Sequence, residues 1–132
     1  MRKRTKAFLC AALSAAGLAV APGPASASAA QCSTDYDHIC LWVDINYNTG
    51  YGAWAGSVAK LPTALHGKVS SLKNLMPGAV YFYSDDNQNG SYLCINPGDV
   101  DANLTDNYVG GRNFNDLIKS FRYYPGGFCT LP

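Results

Sequence analysis

The chain has 132 residues, of which 48% are hydrophobic and 14% charged, enough for one domain with a modest core. Ten Lys and Arg stand against nine acidic residues, all of them Asp, and no basic stripe is present. This charge balance argues against nucleic acid as a partner.

The first 29 residues have the pattern of a secretory signal peptide. A basic head that includes Arg2 and Lys6 precedes an apolar run over 7–21, and small residues follow, with an A-x-A cleavage pattern at 27–29. The apolar run is shorter than the roughly twenty residues that a membrane-spanning helix needs. We therefore expect a signal peptide at 1–29 and a secreted domain at 30–132, without a stable membrane anchor. Six Lys and Arg then remain against nine Asp, a formal charge of −3.

Four cysteines fall within the expected secreted domain: Cys32, Cys40, Cys94 and Cys129. An even number in a small exported domain indicates two disulfides, for which three pairings are possible. We favour Cys32–Cys40, because a short loop makes their encounter frequent, which leaves Cys94–Cys129. A four-cysteine zinc site is the alternative, but no C-x-x-C spacing supports it.

Short apolar segments alternate with turn residues along the rest of the chain, and helix signals are weak. Segments rich in β-branched and aromatic residues are separated by pairs such as Asn89-Gly90 and Gly110-Gly111. The predicted strands cover 38–45, 51–61, 68–75, 79–85, 91–95 and 117–124. Many short strands with such turns predict an all-β sandwich.

Two stretches of the chain repeat one irregular phrase. Residues 41–54 read LWVDINYNTGYGAW and residues 81–94 read YFYSDDNQNGSYLC, with Asp44 and Asp85 lying 41 residues apart. The later segments 69–73 and 118–122 also resemble each other, and each carries a serine whose hydroxyl can bind the backbone of a folded-over turn. The repeat predicts two Greek-key units of four strands packed face to face.

The repeated phrase resembles the βγ-crystallin Greek-key motif. In that motif, two aromatic residues are separated by four residues, a glycine follows after one more residue, and a serine comes later. Gly50 comes one residue late because Thr49 intervenes, and Gln88 stands where the second aromatic is expected. With the close cysteine pair and the CLW that follow the signal, the whole expected domain resembles the secreted bacterial metalloproteinase inhibitors of this fold. The resemblance implies a disulfide-stabilised, βγ-crystallin-like monomer that inhibits an extracellular metalloprotease of the thermolysin type.

The resemblance also directs attention to calcium. Many βγ-crystallin domains bind it through an acidic or amide pair, two spacers, a hydroxyl and a serine, and oxygen ligands suit this hard cation. The second unit keeps the pair Asn115 and Asp116, but Lys119 replaces the hydroxyl, while the first unit keeps its hydroxyls and lacks the pair. We expect two decayed sites and no cofactor. One hybrid calcium site formed by Asn115, Asp116 and Ser70 is the alternative.

Catalysis has little support in the sequence, and we do not expect an enzyme. His38 and His66 are the only histidines, and neither an H-E-x-x-H nor a G-x-S-x-G motif is present. Asp85 and Asp86 could form a carboxylate pair, but neighbours on a strand point to opposite faces.

Inhibition needs only a rigid loop of substrate-like shape, since preorganisation lowers the entropy cost of docking into a protease cleft. The longest irregular segment is 95–112, next to Cys94. We expect this inhibitory loop to make contact through its apolar and aromatic side chains: Val100, Leu104, Tyr108 and Val109. Its alternative role is an ordinary connection between strands.

Two functions of other classes stay open. One is an antifungal or killer-type toxin whose tyrosines and tryptophans stack on cell-wall glycan, although a sandwich would place most aromatics in its core or corners. The other is a calcium-binding protein of the cell envelope. An inhibition assay with thermolysin separates both from the inhibitor hypothesis.

Overall fold

The computed structural model describes Cys32 and residues 37–130, so the predicted signal peptide lies outside the described residues. This part of the chain consists of strands, turns and two short 3-10 segments, Ile45–Tyr47 and Leu104–Asp106. The strands are β1 (Ile39–Asp44), β2 (Asn48–Trp54), β3 (Ser71–Asn74), β4 (Gly78–Asp85), β5 (Asn89–Ile95), β6 (Val100–Asp101), β7 (Tyr108–Val109), β8 (Arg112–Asn113) and β9 (Ser120–Pro125). None of its helical segments is long and apolar enough to span a bilayer.

Two antiparallel sheets form the body of the protein. The first sheet has the order β2-β1-β3-β6, and the second has the order β5-β4-β9. Strands β7 and β8 form a separate hairpin. The predicted all-β sandwich of two Greek-key units is therefore confirmed.

The two units exchange their third strands. Strand β6 of the second unit pairs with β3 in the first sheet. In return, Val58 of the first unit bridges Phe121 of β9, with both N–H···O distances at 3.0 Å. The prediction of one strand over 51–61 was wrong, because the chain leaves the first sheet after Trp54 and crosses to the second. This exchange joins the two units into one body.

The core lies between the sheets and follows the two-residue period of the strands. Val80 and Phe82 point inward from β4, whereas the alternate residues Tyr81 and Tyr83 are only partly buried. Burying a large apolar side chain contributes about 1.5–3 kcal/mol. The buried apolar residues that meet in this core include Ile39, Leu41, Leu72, Val80, Phe82, Leu104, Phe114, Ile118 and Phe121.

The serine of the first unit ties down its folded turn, as the sequence predicts. The Ser71 hydroxyl donates to the Asp44 carbonyl at 2.6 Å and accepts from the Tyr47 N–H at 3.0 Å. Asn46 and Tyr47 both have a φ of +59°, so this turn departs from the strand and needs a partner for its backbone groups. One fully buried hydroxyl supplies that partner.

The second unit repeats this corner and explains its missing aromatic. The Ser120 hydroxyl donates to the Asp85 carbonyl at 2.6 Å and accepts from the Gln88 N–H at 2.9 Å. Gln88 takes the position of Tyr47, and its side-chain amide donates to the carbonyls of Val58 and Phe121 at 3.1 and 3.3 Å. Glutamine therefore replaces the aromatic because it binds the backbone where the first unit crosses over.

The late glycine of the first unit does not widen its turn. Both hairpins have the same register, with Asp44 opposite Asn48 and Asp85 opposite Asn89. Thr49, with a φ of +24°, stands where the second unit has a glycine, and its hydroxyl donates to the Asp44 carboxylate. The threonine thus holds the turn with a side-chain hydrogen bond.

Candidate functional site

Both expected disulfides are present: Cys32–Cys40, with a Cα–Cα distance of 6.3 Å, and Cys94–Cys129, with 5.7 Å. The first holds Cys32 against the outer face of the first sheet. The second fixes the C-terminal segment beside β5. The C-terminal segment is held further by the Ala79 N–H of β4, which donates to the Gly127 carbonyl at 2.9 Å.

The expected inhibitory loop contains one residue that cannot serve as a contact. Leu104 is fully buried in the core, because the crossover of β6 carries it inward and its N–H donates to the Ser70 carbonyl at 2.9 Å. Val109 is half-buried and packs against the same core. Val100 and Tyr108 are exposed, Tyr108 by 66%. The assignment of Leu104 to a contact surface was therefore wrong, and the accessible loop residues are Val100 and Tyr108.

Polar side chains hold this loop in one shape. Asp101 accepts hydrogen bonds from the Asn103 N–H at 2.9 Å and from the Asn107 side-chain amide at 2.6 Å. Asn103 in turn accepts from the N–H and the hydroxyl of Thr105, and Asn113 donates to the Thr105 carbonyl at 2.6 Å. A loop with so many internal bonds loses little further freedom on docking.

The β7–β8 hairpin forms the tip of the loop. Gly110 and Gly111, with φ values of +57° and +81°, make the two-residue turn, a backbone shape that glycine adopts without strain. A Cβ atom at either position would have no neighbour within 4 Å. The tip therefore projects into open space, with Tyr108 beside it.

The three predicted calcium ligands lie at one corner where the two units meet. The Ser70 hydroxyl donates to the Asp116 carboxylate at 3.3 Å, and the buried Asn115 Oδ1 has no hydrogen-bond partner among the described residues. Calcium takes six to eight oxygen ligands, and affinity rises with the number of charged ones. This corner offers a single carboxylate, so its residues fit the cation only in part.

The acidic pair after β4 has structural partners. The backbone of Asp85 binds the corner serine, while Asp86 Oδ1 lies 2.6 Å from His66 Nε2 and Asp86 Oδ2 lies 3.9 Å from Lys60 Nζ. The hydrogen bond from His66, assisted by the positive charges of His66, Lys60 and Lys119, holds the pKa of Asp86 below its usual value. The carboxylate of Asp86 is thus engaged in contacts with His66 and Lys60 of the first unit.

Sequence reasoning missed a surface on the outer side of the second sheet. We call it the tyrosine face: Tyr81 and Tyr83 of β4, Tyr92 of β5, Tyr124 of β9 and the neighbouring Phe128. The ring centroid of Tyr81 lies 5.3 Å from that of Tyr92 and 5.1 Å from that of Tyr124. Burial first, and then the neighbouring Tyr124, raise the pKa of Tyr83. The signal was the alternation of tyrosines with core residues in AVYFY, which places them on the opposite side of β4.

Two depressions open along this surface. One, of about 400 Å³, lies between the four tyrosines and the C-terminal residues Gly127 and Phe128. The other, of about 470 Å³, lies between β5 and the base of the hairpin, where Tyr92 and Val109 face the Cys94–Cys129 bridge. Tyr92 lines both, so the tyrosine face continues toward the hairpin.

Comparison with known proteins gives a family and a fold. The family model described as "Peptidase inhibitor family I36" matches residues 25–95, more than half of the chain. That stretch contains β1 to β5 and ends before the hairpin. A search of curated proteins finds no match.

Solved βγ-crystallin structures share the fold at low sequence identity. A domain from a study of the evolution of the eye-lens βγ-crystallin fold has a TM-score of 0.60 and 23% identity, over 68% of this chain and 87% of that one. The βγ-crystallin of Ciona intestinalis has a TM-score of 0.55 and 22% identity, over 66% and 99%. An archaeal βγ-crystallin has a TM-score of 0.56 and 19% identity, over 68% and 100%. The predicted βγ-crystallin-like fold is thereby confirmed.

Proposed function

The chain belongs to peptidase inhibitor family I36, and we propose that it acts as a secreted monomer on an extracellular metalloprotease of the thermolysin type. Membership of a peptidase inhibitor family implies that the partner is a protease. The metalloprotease class is carried over from the sequence resemblance. Secretion is inferred from the signal pattern at 1–29 and agrees with two disulfides, which persist in oxidising compartments.

The hairpin is the proposed contact with the protease cleft. One observation carries this choice: a loop fixed by its own side chains presents Tyr108, 66% exposed, beside a tip in open space. Such preorganisation reduces the ordering entropy that docking would otherwise cost. The inhibitor acts by occupying the cleft, without a covalent step.

A titration against thermolysin with a chromogenic peptide substrate tests this function. The secreted domain should reduce turnover in proportion to the inhibitor added, and Tyr108→Ser should weaken inhibition by about tenfold or more, as expected for an exposed aromatic contact residue. Ile45→Ser is the matched control, because Ile45 is also an exposed large apolar residue and lies on the other unit. Full turnover at a several-fold molar excess of the wild-type domain would rule out thermolysin-type proteases as the target.

We further propose that inhibition needs no metal bound to this protein. The corner of Ser70, Asn115 and Asp116 supplies one carboxylate. At the position that matches Ser70, the second unit carries Lys119, whose positive charge disfavours a cation. Calorimetric titration of the stripped domain with millimolar calcium should give no binding heat. A saturable isotherm that disappears in Asp116→Asn would instead establish the hybrid site.

A further inference from the structure

We propose that the tyrosine face is a second docking surface for the target protease, one that holds an extended segment of the enzyme outside its active-site cleft. This inference rests on the proposed function, because it takes the protease as the partner. It adds a surface that neither the family match nor the loop hypothesis identifies.

Because of the repeat, the tyrosine face of the second sheet corresponds residue by residue to the outer face of the first sheet. Trp42 lies opposite Tyr51 across β1 and β2, as Tyr83 lies opposite Tyr92 across β4 and β5. A basic residue lies at equivalent positions of the last strand of each unit: Lys73 on β3, opposite Cys40, and Arg122 on β9, opposite Tyr81. The two outer faces are therefore built from corresponding aromatic and basic residues.

In the first sheet, Cys32 lies on this face. Cys32, bound to Cys40, packs on Trp42 and Tyr51, and its sulfur lies 2.7 Å from the Tyr51 hydroxyl. Trp42 is only 4% exposed as a result. The first sheet thus shows that this arrangement of aromatic rings accommodates a small residue of a polypeptide chain.

In the second sheet, the corresponding face stays open among the residues that the structure describes. Tyr92 is 51% exposed and Phe128 is 68% exposed. Residues 127–130, fixed by Cys94–Cys129, lie at one end of the face, and a depression of about 400 Å³ lies between Tyr83 and Phe128. A residue of a peptide segment from another protein can therefore take the place that Cys32 takes in the first sheet.

The side chains of the tyrosine face suit a protein partner. Tyrosine and arginine are enriched at protein interfaces, and tyrosine supplies a large contact area at a low entropy cost. Arg122 lies over the ring of Tyr124, with its guanidinium carbon 5.1 Å from the ring centroid, and can donate to a carbonyl or carboxylate of the partner.

The position of the face also links it to the hairpin. Tyr92 and Val109 line the same depression, so a protease that receives Tyr108 would meet the tyrosine face next. A stable protein interface buries roughly 800 Å² on each partner. The glycine turn of the hairpin and the neighbouring Tyr108 provide a small part of that area. The tyrosine face adjoins them and adds a further contact surface.

The test uses the complete secreted domain, thermolysin and the double variant Tyr92→Thr/Phe128→Ala. Both residues are exposed, so the variant should keep the wild-type unfolding temperature, and Ile45→Ala is the matched control. We expect the inhibition constant of the double variant to rise by about tenfold or more. Thermolysin whose cleft is filled by a small zinc-chelating inhibitor should still bind the wild-type domain, more weakly, and should not bind the double variant.

The outcomes separate the two proposals. If the wild-type domain inhibits and the folded double variant has the same inhibition constant, the tyrosine face is not a protease contact, and the proposed function stands. If the wild-type domain does not inhibit at all, both proposals are overturned. Pull-down on chitin or β-glucan that the double variant abolishes, with inhibition unchanged, would assign the face to carbohydrate.

Discussion

The two Greek-key units repeat the same corner and the same register, but they finish their outer faces differently. Within the described residues, Cys32 packs on Trp42 and Tyr51 of the first unit, whereas Tyr92 and Tyr83 of the second unit line an open depression. The repeated features are those that folding requires, namely the buried serine corners and the inward residues. The outer faces differ, and because they lie on the surface, a change there can create a binding site without disrupting the fold.

The two disulfides should give the largest difference between the units. They enclose loops with sequence separations of 35 and 8 residues, and the chain-entropy model assigns about 4 kcal/mol to the longer and about 2.5 kcal/mol to the shorter. Urea unfolding of Cys94→Ser/Cys129→Ser and of Cys32→Ser/Cys40→Ser measures both.

Tryptophan emission distinguishes what each bridge does. Loss of the first should uncover Trp42 and shift the emission to longer wavelength, while loss of the second should leave it unchanged. An equal red shift in both variants would contradict the view that Cys32 is the cover of the first face.

The corner serines should show where the units are equivalent. Ser71→Ala and Ser120→Ala each remove two partly buried hydrogen bonds to the backbone of the turn, each of which contributes about 0.5–1.5 kcal/mol. Thr63→Ala, at an exposed position, is the control. Thermal or urea unfolding should give similar losses for the two serines. A loss below about 0.5 kcal/mol in either would mean that its corner is held by other contacts.

These corners also show how far sequence reasoning reaches. The corner serines, the disulfide pairing and a strand over 79–85 can be inferred from the residues themselves, and they were predicted correctly. The exchange of third strands was missed, because no local pattern tells which sheet a segment such as 55–61 will join. That exchange is also what buries Leu104, so the error in the loop follows from the error in topology.

The tyrosine face was missed for a different reason. Tyrosines on alternate positions of a strand occur both in cores and on surfaces, and the expectation that a sandwich buries its aromatics favoured the core. Whether Tyr92 is covered depends on a chain segment distant in sequence. Only the structure shows that Cys32 packs on the first face and that the described residues of the second face line a depression.

The basic residues of the two faces provide a smaller contrast. Lys73 Nζ lies 4.5 Å from the ring centroid of Tyr47 and 5.8 Å from that of Trp42, on the covered face. Arg122 lies over Tyr124 on the open face. Because cation–π contacts strengthen as they are desolvated, Lys73→Met should cost about 1 kcal/mol of stability and Arg122→Met about 0.5 kcal/mol or less. If urea unfolding showed a larger loss of stability for Arg122→Met than for Lys73→Met, the view that the first face is covered and the second is open would be contradicted.

The smallest effect should come from the tie between the units at His66 and Asp86. The folded-state pKa of Asp86 is lowered, so its contribution is complete above its ordinary pKa of about 4 and is lost as the pH falls through the folded value. Asp86→Asn should therefore be less stable than wild type at pH 5, and the difference should vanish toward pH 2. Asp106→Asn, at an exposed carboxylate in a 3-10 turn, is the matched control. A difference that persists at pH 2 would mean that ionisation of Asp86 is not its cause.

Hydroxyl-radical footprinting of the free domain and of its complex with thermolysin tests the central contrast most directly. In the free domain, Tyr92 and Phe128 should be oxidised readily and Trp42, 4% exposed, should be protected. In the complex, Tyr92, Phe128 and Tyr108 should become protected together. Oxidation of Tyr92 and Phe128 at the same rate in an inhibited complex as in the free domain would contradict the account of an open face that receives the protease.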